Sequence, residues 1–299
     1  MERFSGVVIR SDGPQVTVRD ADGREWRCVL RGRLRKQLNG ATNPVAVGDQ
    51  VEVEPTGTLA GVVETVLPRR NRLARRAAGE PPREQVLAAN LDLAIVVVAA
   101  PPRATVMDRY LALAQGGGSQ ALLCVNKVDL VDPSTLDSVL DPYEAAGLSV
   151  LRTSALRGDG LEELRPHLTG HLVAFIGPSG GGKSSLINAL DPTLRVRVGG
   201  LAASGRGAHT TSWAAVYPLG DGFVVDTPGL REVTFLDDEG SQAGIDLFPE
   251  ITALAAGCHF RDCTHTHEPR CAVKTQLEQG GIDPDLYRRY VRLARARRL

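Results

Sequence analysis

The sequence predicts a multidomain protein with an all-β barrel at the N-terminus, an α/β domain in the middle and a small C-terminal domain that contains helices. Three observations predict this: short alternating strands before residue 70, apolar runs that alternate with helical stretches in the middle, and a cluster of cysteines near the end. The 299 residues are enough for two or three domains. We therefore expect domains at 1–70, 71–257 and 258–299, with a linker over 69–85.

The N-terminal segment contains strand-like stretches separated by Asp-Gly and Gly-Asp turn signals, at 6–9, 15–18, 25–30 and 50–53. About five short strands in roughly 65 residues are typical of a small barrel. We expect the OB type, with an SH3-like barrel of similar size as the alternative. An arginine-rich run from Arg69 to Arg76 and then the pair Pro81-Pro82 indicate the linker.

The middle segment has a different hydrophobic pattern from the N-terminal segment. Near-continuous apolar runs occupy 93–100, 121–125, 172–176 and 223–225, with a shorter strand near 149–151. Helical stretches lie between them, at 107–115, 161–167 and 184–190. Apolar strands that alternate with helices predict a parallel sheet covered by helices on both faces.

A phosphate-binding loop is predicted between the apolar run and the helical stretch that surround residue 180. Its sequence matches GxxxxGK[ST], and a strand before it and a helix after it are the required context. Backbone N–H groups must close around the phosphates there, which a Cβ at the tight positions would block. Lys183 would reach the β- and γ-phosphates, and Ser184 would bind Mg²⁺. The predicted residues of this site are Gly177, Pro178, Ser179, Gly180, Gly181, Gly182, Lys183, Ser184 and Ser185.

Three further motifs follow apolar strands. Asp226 can hold Mg²⁺ through water while the amide of Gly229 senses the γ-phosphate. The sequence Asn-Lys-Val-Asp at 126–129 selects the base, because Asp129 can accept two hydrogen bonds from guanine that adenine does not offer. The sequence Thr-Ser-Ala at 153–155 would add a backbone N–H to the guanine O6. The predicted base-binding residues are Asn126, Lys127, Asp129, Ser154 and Ala155.

Together these motifs resemble the Ras-like P-loop GTPases, but their order along the chain differs. The base-binding motifs at 126 and 154 precede the phosphate loop at 177, so the domain is circularly permuted. Such a permutation is tolerated because chain termini often lie close together on a domain surface. With a barrel before it and cysteines after it, the chain resembles the bacterial family of ribosome small subunit-dependent GTPase A over nearly its whole length.

The resemblance implies the residues that act in hydrolysis. The Gly-rich stretch 205–211 corresponds to the first switch of that family, where one of Thr210 and Thr211 binds Mg²⁺ and contacts the γ-phosphate; Ser212 replaces a threonine frequent in relatives. Leu230 stands where Ras-type enzymes carry the glutamine that orients the attacking water. The resemblance offers His209 as its replacement, with Lys183 as the second catalytic residue. Slow intrinsic turnover, accelerated by a partner, is expected.

Three thiols and one imidazole within 14 residues predict a closed, structural Zn²⁺ site near the C-terminus. His259 and His267 compete for the fourth position, and the family pattern favours His265. Cys28 and Cys124 lie in apolar, strand-like stretches, so we expect them to be core residues. The predicted zinc ligands are Cys258, Cys263, His265 and Cys271.

The formal net charge is zero, which taken alone argues against a nucleic-acid partner. However, residues 1–76 carry 14 basic and 9 acidic side chains, residues 77–257 carry 12 and 21, and residues 258–299 carry 9 and 5. Two basic ends flank an acidic middle. The stretch 287–299 contains six arginines and no acid, and the run from Arg69 to Arg76 adds five more arginines. These ends are expected to contact RNA phosphates. The alternative is a solvated helix face in a chain whose codon bias favours arginine, with 31 Arg and 4 Lys.

We expect a GTPase, converting GTP to GDP, that binds the small ribosomal subunit and its ribosomal RNA and acts late in the maturation of that subunit. Mg²⁺ with GTP and one structural Zn²⁺ are the expected cofactors. A GTP-gated RNA-binding scaffold with little turnover is the alternative, and Asn126 and Asp129 disfavour an ATPase. The N-terminus has no signal-like segment and the apolar run from Leu93 to Ala100 is too short to cross a bilayer, so we expect a cytoplasmic monomer without a membrane partner.

Overall fold

The structure is a computed structural model that describes residues 2–13, 15–36, 43–76, 84–194, 214–226 and 247–296. Its first five strands form a closed barrel. Strand β1 pairs with β2 and with β4, β2 pairs with β3, β3 pairs in parallel with β5, and β5 pairs with β4. The barrel elements are β1 (Phe4–Asp12), β2 (Gln15–Arg19), β3 (Glu25–Leu30), α1 (Gly32–Lys36), β4 (Gln50–Gly57) and β5 (Ala60–Val66).

The barrel confirms the predicted OB type, a closed five-stranded arrangement. Its interior is filled by valines that are fully buried, among them Val8, Val18 and Val53. Strand β5 was not among the predicted strands. The reason is that Val63 and Glu64 are both buried, which interrupts the alternation of buried and exposed side chains by which a strand is identified.

The predicted linker contributes to a hairpin of β6 (Arg72–Arg76) and β7 (Glu84–Ala89). Two linker arginines that precede this hairpin hold the barrel against the α/β domain. Arg69 donates to both oxygens of the fully buried Asp49, at 2.7 and 2.8 Å. The amide of Arg70 donates to Asn90 at 2.8 Å, and Asn90 in turn donates to the carbonyl of Gly48 at 2.9 Å.

The elements of the central domain are β8 (Leu93–Ala99), α2 (Ala104–Gly116), β9 (Ala121–Asn126), α3 (Ser134–Ala145), β10 (Ser149–Thr153), α4 (Leu161–Leu164), β11 (Leu172–Ile176), α5 (Lys183–Leu190), β12 (Ala214–Leu219) and β13 (Gly222–Asp226). Their sheet has the order β10-β9-β8-β11-β13-β12, in which β12 is antiparallel to β13 and the other pairs are parallel. Helices cover both faces, as predicted: Ile95 packs with the buried residues of α4 and α5, and its neighbour Val96 packs with those of α2 and α3.

The C-terminal unit, residues 247–296, packs against the α2 and α3 face of the sheet. Phe248 and Tyr290 belong to the same buried cluster as Leu111 of α2 and Leu140 of α3. The helices of this unit are α6 (Pro249–Ala255), α7 (Ala272–Glu278) and α8 (Pro284–Ala296). Helix α8 contains four of the six arginines of the stretch 287–299, and one side of it is buried.

The barrel is joined to the central sheet by a short strand pairing. Arg10 and Ser11 of β1 pair with Ala215 and Ala214 of β12, so the two sheets form one sheet of eleven strands. Among the helices of the described residues, none combines the length and apolar character needed to span a bilayer.

Candidate nucleotide site and metal cluster

The predicted phosphate loop runs from the end of β11 to the start of α5, between two buried elements of the central domain. Gly177, Gly180 and Gly182 have φ angles of 142°, 81° and 95°. The Nζ of Lys183 donates to the carbonyls of Gly177 at 2.7 Å and Pro178 at 2.8 Å. The loop therefore curls around its own ammonium group, which gives it the charge needed to hold an anion at the N-terminus of α5.

The glycines at 177 and 182 are required by close contacts as well as by φ. A Cβ on Gly177 would lie 2.1 Å from the carbonyl oxygen of Val97 in β8. A Cβ on Gly182 would lie 2.0 Å from the Nδ2 of Asn126. Both positions have positive φ, which side chains rarely adopt. The loop is therefore pressed against β8 and the end of β9.

Asn126 connects three loops at the carboxyl edge of the sheet. Its side chain is almost completely buried and donates to the carbonyl of Gly181 at 3.2 Å. Its Oδ1 accepts from the amide of Ala155 at 3.1 Å. The sequence predicts base selection for this motif. The structure adds that Asn126 holds the phosphate loop to the loop after β10, through partners 55 and 29 residues away in the chain.

Asp129 lies in a short 3-10 helix directly after β9. The hydroxyl of Ser154, which is fully buried, donates to the Oδ1 of Asp129 at 2.5 Å. Arg157 donates from its amide to Ser154 at 3.1 Å and from its guanidinium to the carbonyl of Asp129 at 3.4 Å. Lys127 has φ 64°, and its Cε is 3.7 Å from the Cβ position of Gly182. The motifs at 126–129 and 153–155 thus form one hydrogen-bonded unit next to the phosphate loop.

Of the predicted magnesium ligands, Ser184 is half-buried in the first turn of α5. Asp226 ends β13, which pairs directly with β11, so its backbone lies at the same edge of the sheet as the phosphate loop. Hydroxyl and carboxylate groups are the kinds of ligand that suit Mg²⁺. Other predicted residues lie outside the described part of the chain: His209, Thr210, Thr211, Ser212, Gly229 and Leu230.

The four predicted zinc ligands meet in one cluster, with their ligand atoms within 4.8 Å of one another. The Sγ atoms of Cys258 and Cys271 are 3.8 Å apart, and each lies 3.4 Å from the Nδ1 of His265. A tetrahedral zinc site with Zn–S distances of about 2.3 Å has sulfurs about 3.8 Å apart, and sulfur and nitrogen about 3.5 Å apart. The spacing therefore fits a metal ion, and His265, rather than His259 or His267, joins the three thiols.

Neighbouring side chains fix the loop that carries His265. Tyr287 of α8 donates its hydroxyl to the carbonyl of His265 at 2.7 Å. The carboxylate of Glu268 accepts from the amides of Thr264 at 2.9 Å and Thr266 at 3.0 Å. Burial alone would raise the pKa of Glu268, but hydrogen bonds, chiefly from Thr264, hold it well below its usual value. The metal cluster is thus tied to α8.

The two other cysteines are core residues, as predicted. Cys28 and Cys124 are 2% and 0% exposed. Burial raises the pKa of both thiols to about 11, so they are protonated at neutral pH.

The arginines of α8 divide into two groups. Arg289 turns inward and donates to both oxygens of Asp108 in α2, at 2.8 and 2.7 Å, and to the hydroxyl of Tyr143 at 2.7 Å. Arg288, Arg292 and Arg295 are exposed. Arg289 is therefore an internal anchor of α8, and the other three arginines form an exposed stripe along the helix.

The sheet order, the phosphate loop and the base-binding motifs define a circularly permuted GTPase. The crystal structure of YjeQ from Thermotoga maritima matches with a TM-score of 0.73 and 34% identity, covering 98% of each chain. The structure of YloQ, described as a circularly permuted GTPase, matches with a TM-score of 0.71 and 26% identity, over 99% of this chain and 96% of that one.

A curated relative from Gemmatimonas aurantiaca, the small ribosomal subunit biogenesis GTPase RsgA, is 40% identical over 296 residues, which is 97% of this chain and 96% of the relative. The model of the RsgA GTPase family matches residues 66–236. The chain belongs to the RsgA GTPase family and is a GTP hydrolase. The resemblance identified from the motifs is confirmed.

Proposed function

We propose that this GTPase binds the small ribosomal subunit and its ribosomal RNA and acts late in the maturation of that subunit. In this proposal the subunit stimulates GTP hydrolysis, and hydrolysis is coupled to release. The similarity to a named small ribosomal subunit biogenesis GTPase carries the proposal, because it extends over 97% of this chain and so includes the barrel and the C-terminal unit. The protein would act in the cytoplasm as a monomer, without a membrane partner.

The nucleotide would lie across the carboxyl edge of the central sheet. The loop at 177–182 and the ammonium group of Lys183 would hold the phosphates. Asp129 would accept from guanine, while Ser154 fixes the carboxylate and the loop after β10 offers the amide of Ala155. The bonds of Asn126 to the phosphate loop and to Ala155 support this assignment, because they keep both halves of the site in one geometry.

Ser184, Asp226 and one of Thr210 and Thr211 would hold magnesium. When bound, Mg²⁺ neutralises charge on the β- and γ-phosphates. His209 would orient the attacking water, since Leu230 cannot. Because His209 and the two threonines are adjacent, a contact of the subunit with this segment would act on the water-orienting residue and the magnesium ligand together.

We propose zinc for the Cys258 cluster and a structural role for it. Three thiols and one imidazole fill a tetrahedral shell, so no open position remains for a reaction. The polar segment 258–271 has little apolar surface of its own, and metal binding would supply much of its folding free energy. The division into 1–70, 71–257 and 258–299 would then follow barrel, GTPase domain and zinc-binding domain.

The RNA contacts would be made by the closed barrel and by the exposed arginine stripe of α8. OB barrels are common platforms for nucleic acids. Reversing the charge of Arg292 and Arg295 should weaken subunit binding and reduce its salt slope by about 2. Reversing Arg103 and Arg165, two exposed arginines of the GTPase domain, changes the total charge by the same amount and is the matched control.

GTP turnover with and without small ribosomal subunits tests the proposal. We expect acceleration of about 10³-fold or more, in the range of partner-assisted GTPases. Lys183→Ala should abolish stimulated hydrolysis and delay release from the subunit. Equal turnover with and without subunits would refute the coupling, and a Lys183→Ala variant that only binds GTP more weakly would favour the scaffold alternative.

A further inference from the structure

We propose that the loop between Cys258 and Cys263 carries a stacking site for one unpaired RNA nucleotide. In this site the ring of Phe260 stacks on the base, and Arg261 and Arg270 contact the adjoining phosphates. The proposal rests on the proposed function and specifies the kind of RNA contact that the C-terminal unit makes.

Phe260 is the one aromatic residue among the large hydrophobic side chains that are exposed in the described part of the chain. It is 39% exposed, and its neighbours His259, Arg261 and Asp262 are exposed as well. Leaving an aromatic ring in water forgoes part of the roughly 1.5–3 kcal/mol that burial would contribute. The exposed part of the ring is an apolar surface that a partner could cover.

The loop around Phe260 is held in position before any partner arrives. Both of its ends are members of the metal cluster, and the amide of Cys263 donates to the carbonyl of Phe260 at 3.3 Å. The amide of His259 donates to the carbonyl of Arg270 at 3.3 Å. The ring of His259 meets that of Phe260 edge to face, with centroids 4.8 Å apart at 85°. A pre-positioned ring loses little freedom when a base stacks on it.

Two exposed arginines belong to the same loop region as this ring. Arg261 follows it in the chain, and Arg270 is bound to His259 through its backbone. Neither arginine is part of the ion pairs formed among the described residues, whereas Arg288 and Arg289 of α8 each pair with an aspartate. Asp262 is the acid of this loop, and it also lies outside those ion pairs. Two guanidinium groups and an aromatic ring in one loop region suit a nucleotide, because the ring can stack on the base and each guanidinium group can bind one of the adjoining phosphates.

An unpaired nucleotide is the RNA element that presents this combination. In an A-form duplex the base faces are stacked inside, and the deep major groove is closed to side chains. In a single strand or bulge, a base can turn out onto an aromatic ring while its phosphates stay accessible. The site is therefore expected to discriminate single-stranded from duplex RNA, with little preference among bases.

The test measures binding of the full-length, zinc-loaded protein by fluorescence anisotropy to a single-stranded oligouridylate of about twelve nucleotides and to an RNA hairpin duplex. Phe260→Ala should weaken binding to the single strand by about 5- to 150-fold, the range of one lost base stack. Phe260→Trp should bind within about threefold of the wild type, since it retains a stacking face. Arg261→Gln should lower the salt slope by about 1. His267→Ala, an exposed ring elsewhere in the same unit, is the control and should bind like the wild type.

Zinc content and basal GTP turnover of each variant establish that it is folded. The proposal is overturned if Phe260→Ala binds the single strand as the wild type does, if the wild type does not bind it, or if the variant loses duplex binding equally. A wild type that prefers an acidic peptide also overturns it. Stimulation of GTP turnover by subunits is measured separately, so that the proposed function can stand while this site fails.

Discussion

Replacing Asp108 by asparagine should release helix α8 from the GTPase domain. The side chains of Asp108 and Arg289 are 4% and 16% exposed, and two hydrogen bonds join them. Burial opposes the charge on Arg289, but the hydrogen bonds to Asp108 outweigh it and raise the pKa of Arg289. The asparagine keeps the shape and removes the negative charge, so that a buried guanidinium remains without its counter-ion.

Removing one partner of a buried ion pair costs about 3–5 kcal/mol. If this loss of free energy falls on the local unfolding of α8, the equilibrium constant for that unfolding rises by roughly 10²- to 10⁴-fold. The exposed pair Arg288–Asp285, with side chains 67% and 74% exposed, provides the matched control. Arg288→Gln should change the same equilibrium by less than about fivefold, as for surface ion pairs.

Hydrogen exchange of peptides from α8, followed by mass spectrometry, measures this opening directly. Under conditions where the exchange rate is proportional to the equilibrium constant for opening of α8, the ratio of the exchange rates of Asp108→Asn and wild type gives the change in that constant. A ratio below about five for Asp108→Asn would refute the argument that this pair anchors α8. If Arg288→Gln raised the exchange rate as much as Asp108→Asn does, the distinction between the buried and the exposed ion pair would be refuted.

Gly182→Ala should reduce GDP affinity by about 100-fold or more in isothermal titration, since a Cβ would lie 2.0 Å from the Nδ2 of Asn126 at a φ of 95°. Gly170→Ala is the control, because its φ is also positive but nothing lies within 4 Å, and its GDP affinity should stay at the wild-type value. Chelation of the metal should expose three thiols to alkylation at pH 8, while Cys28 and Cys124, whose pKa burial raises to about 11, react only after unfolding; five reactive thiols in the folded chain would contradict this. Since thiols ionise near pH 9.0 in the unfolded chain, the contribution of these two cysteines to stability is complete below pH 9 and declines as the pH rises towards 11. Urea unfolding across this range should show the decline in the wild type and less of it in a Cys28→Ala, Cys124→Ala variant, and identical profiles would contradict it.

Features whose chemistry is local along the chain could be predicted from the sequence. The phosphate loop occupies eight consecutive positions and the metal ligands lie within 14 residues, so spacing alone restricts their geometry. The OB barrel was predictable from its turns, although β5 was not, because a bulge in its pairing with β4 accompanies the loss of alternation.

Contacts between distant segments could not be predicted in this way. In the sequence, Arg289 is one of six similar arginines of the stretch 287–299. Its side chain turns inward because it pairs with Asp108, which lies 181 residues earlier in the chain. Likewise, the packing of Asn126 against Gly181 depends on the close approach of two strand ends. The direction of a side chain is set by its partner in space, and the spacing of residues carries no information about a partner so far away.

The strand order of the GTPase domain has a consequence for synthesis on the ribosome, where the chain emerges from its N-terminus. The barrel strands all lie within the first 66 residues, so the barrel can close early. Strands β8, β9 and β10 then emerge before the phosphate loop, and β13 completes the neighbours of β11 only at residue 226. The first half of the nucleotide site is therefore made before any phosphate loop exists, and a chain that holds guanine nucleotide in the completed sheet has been synthesised past residue 226.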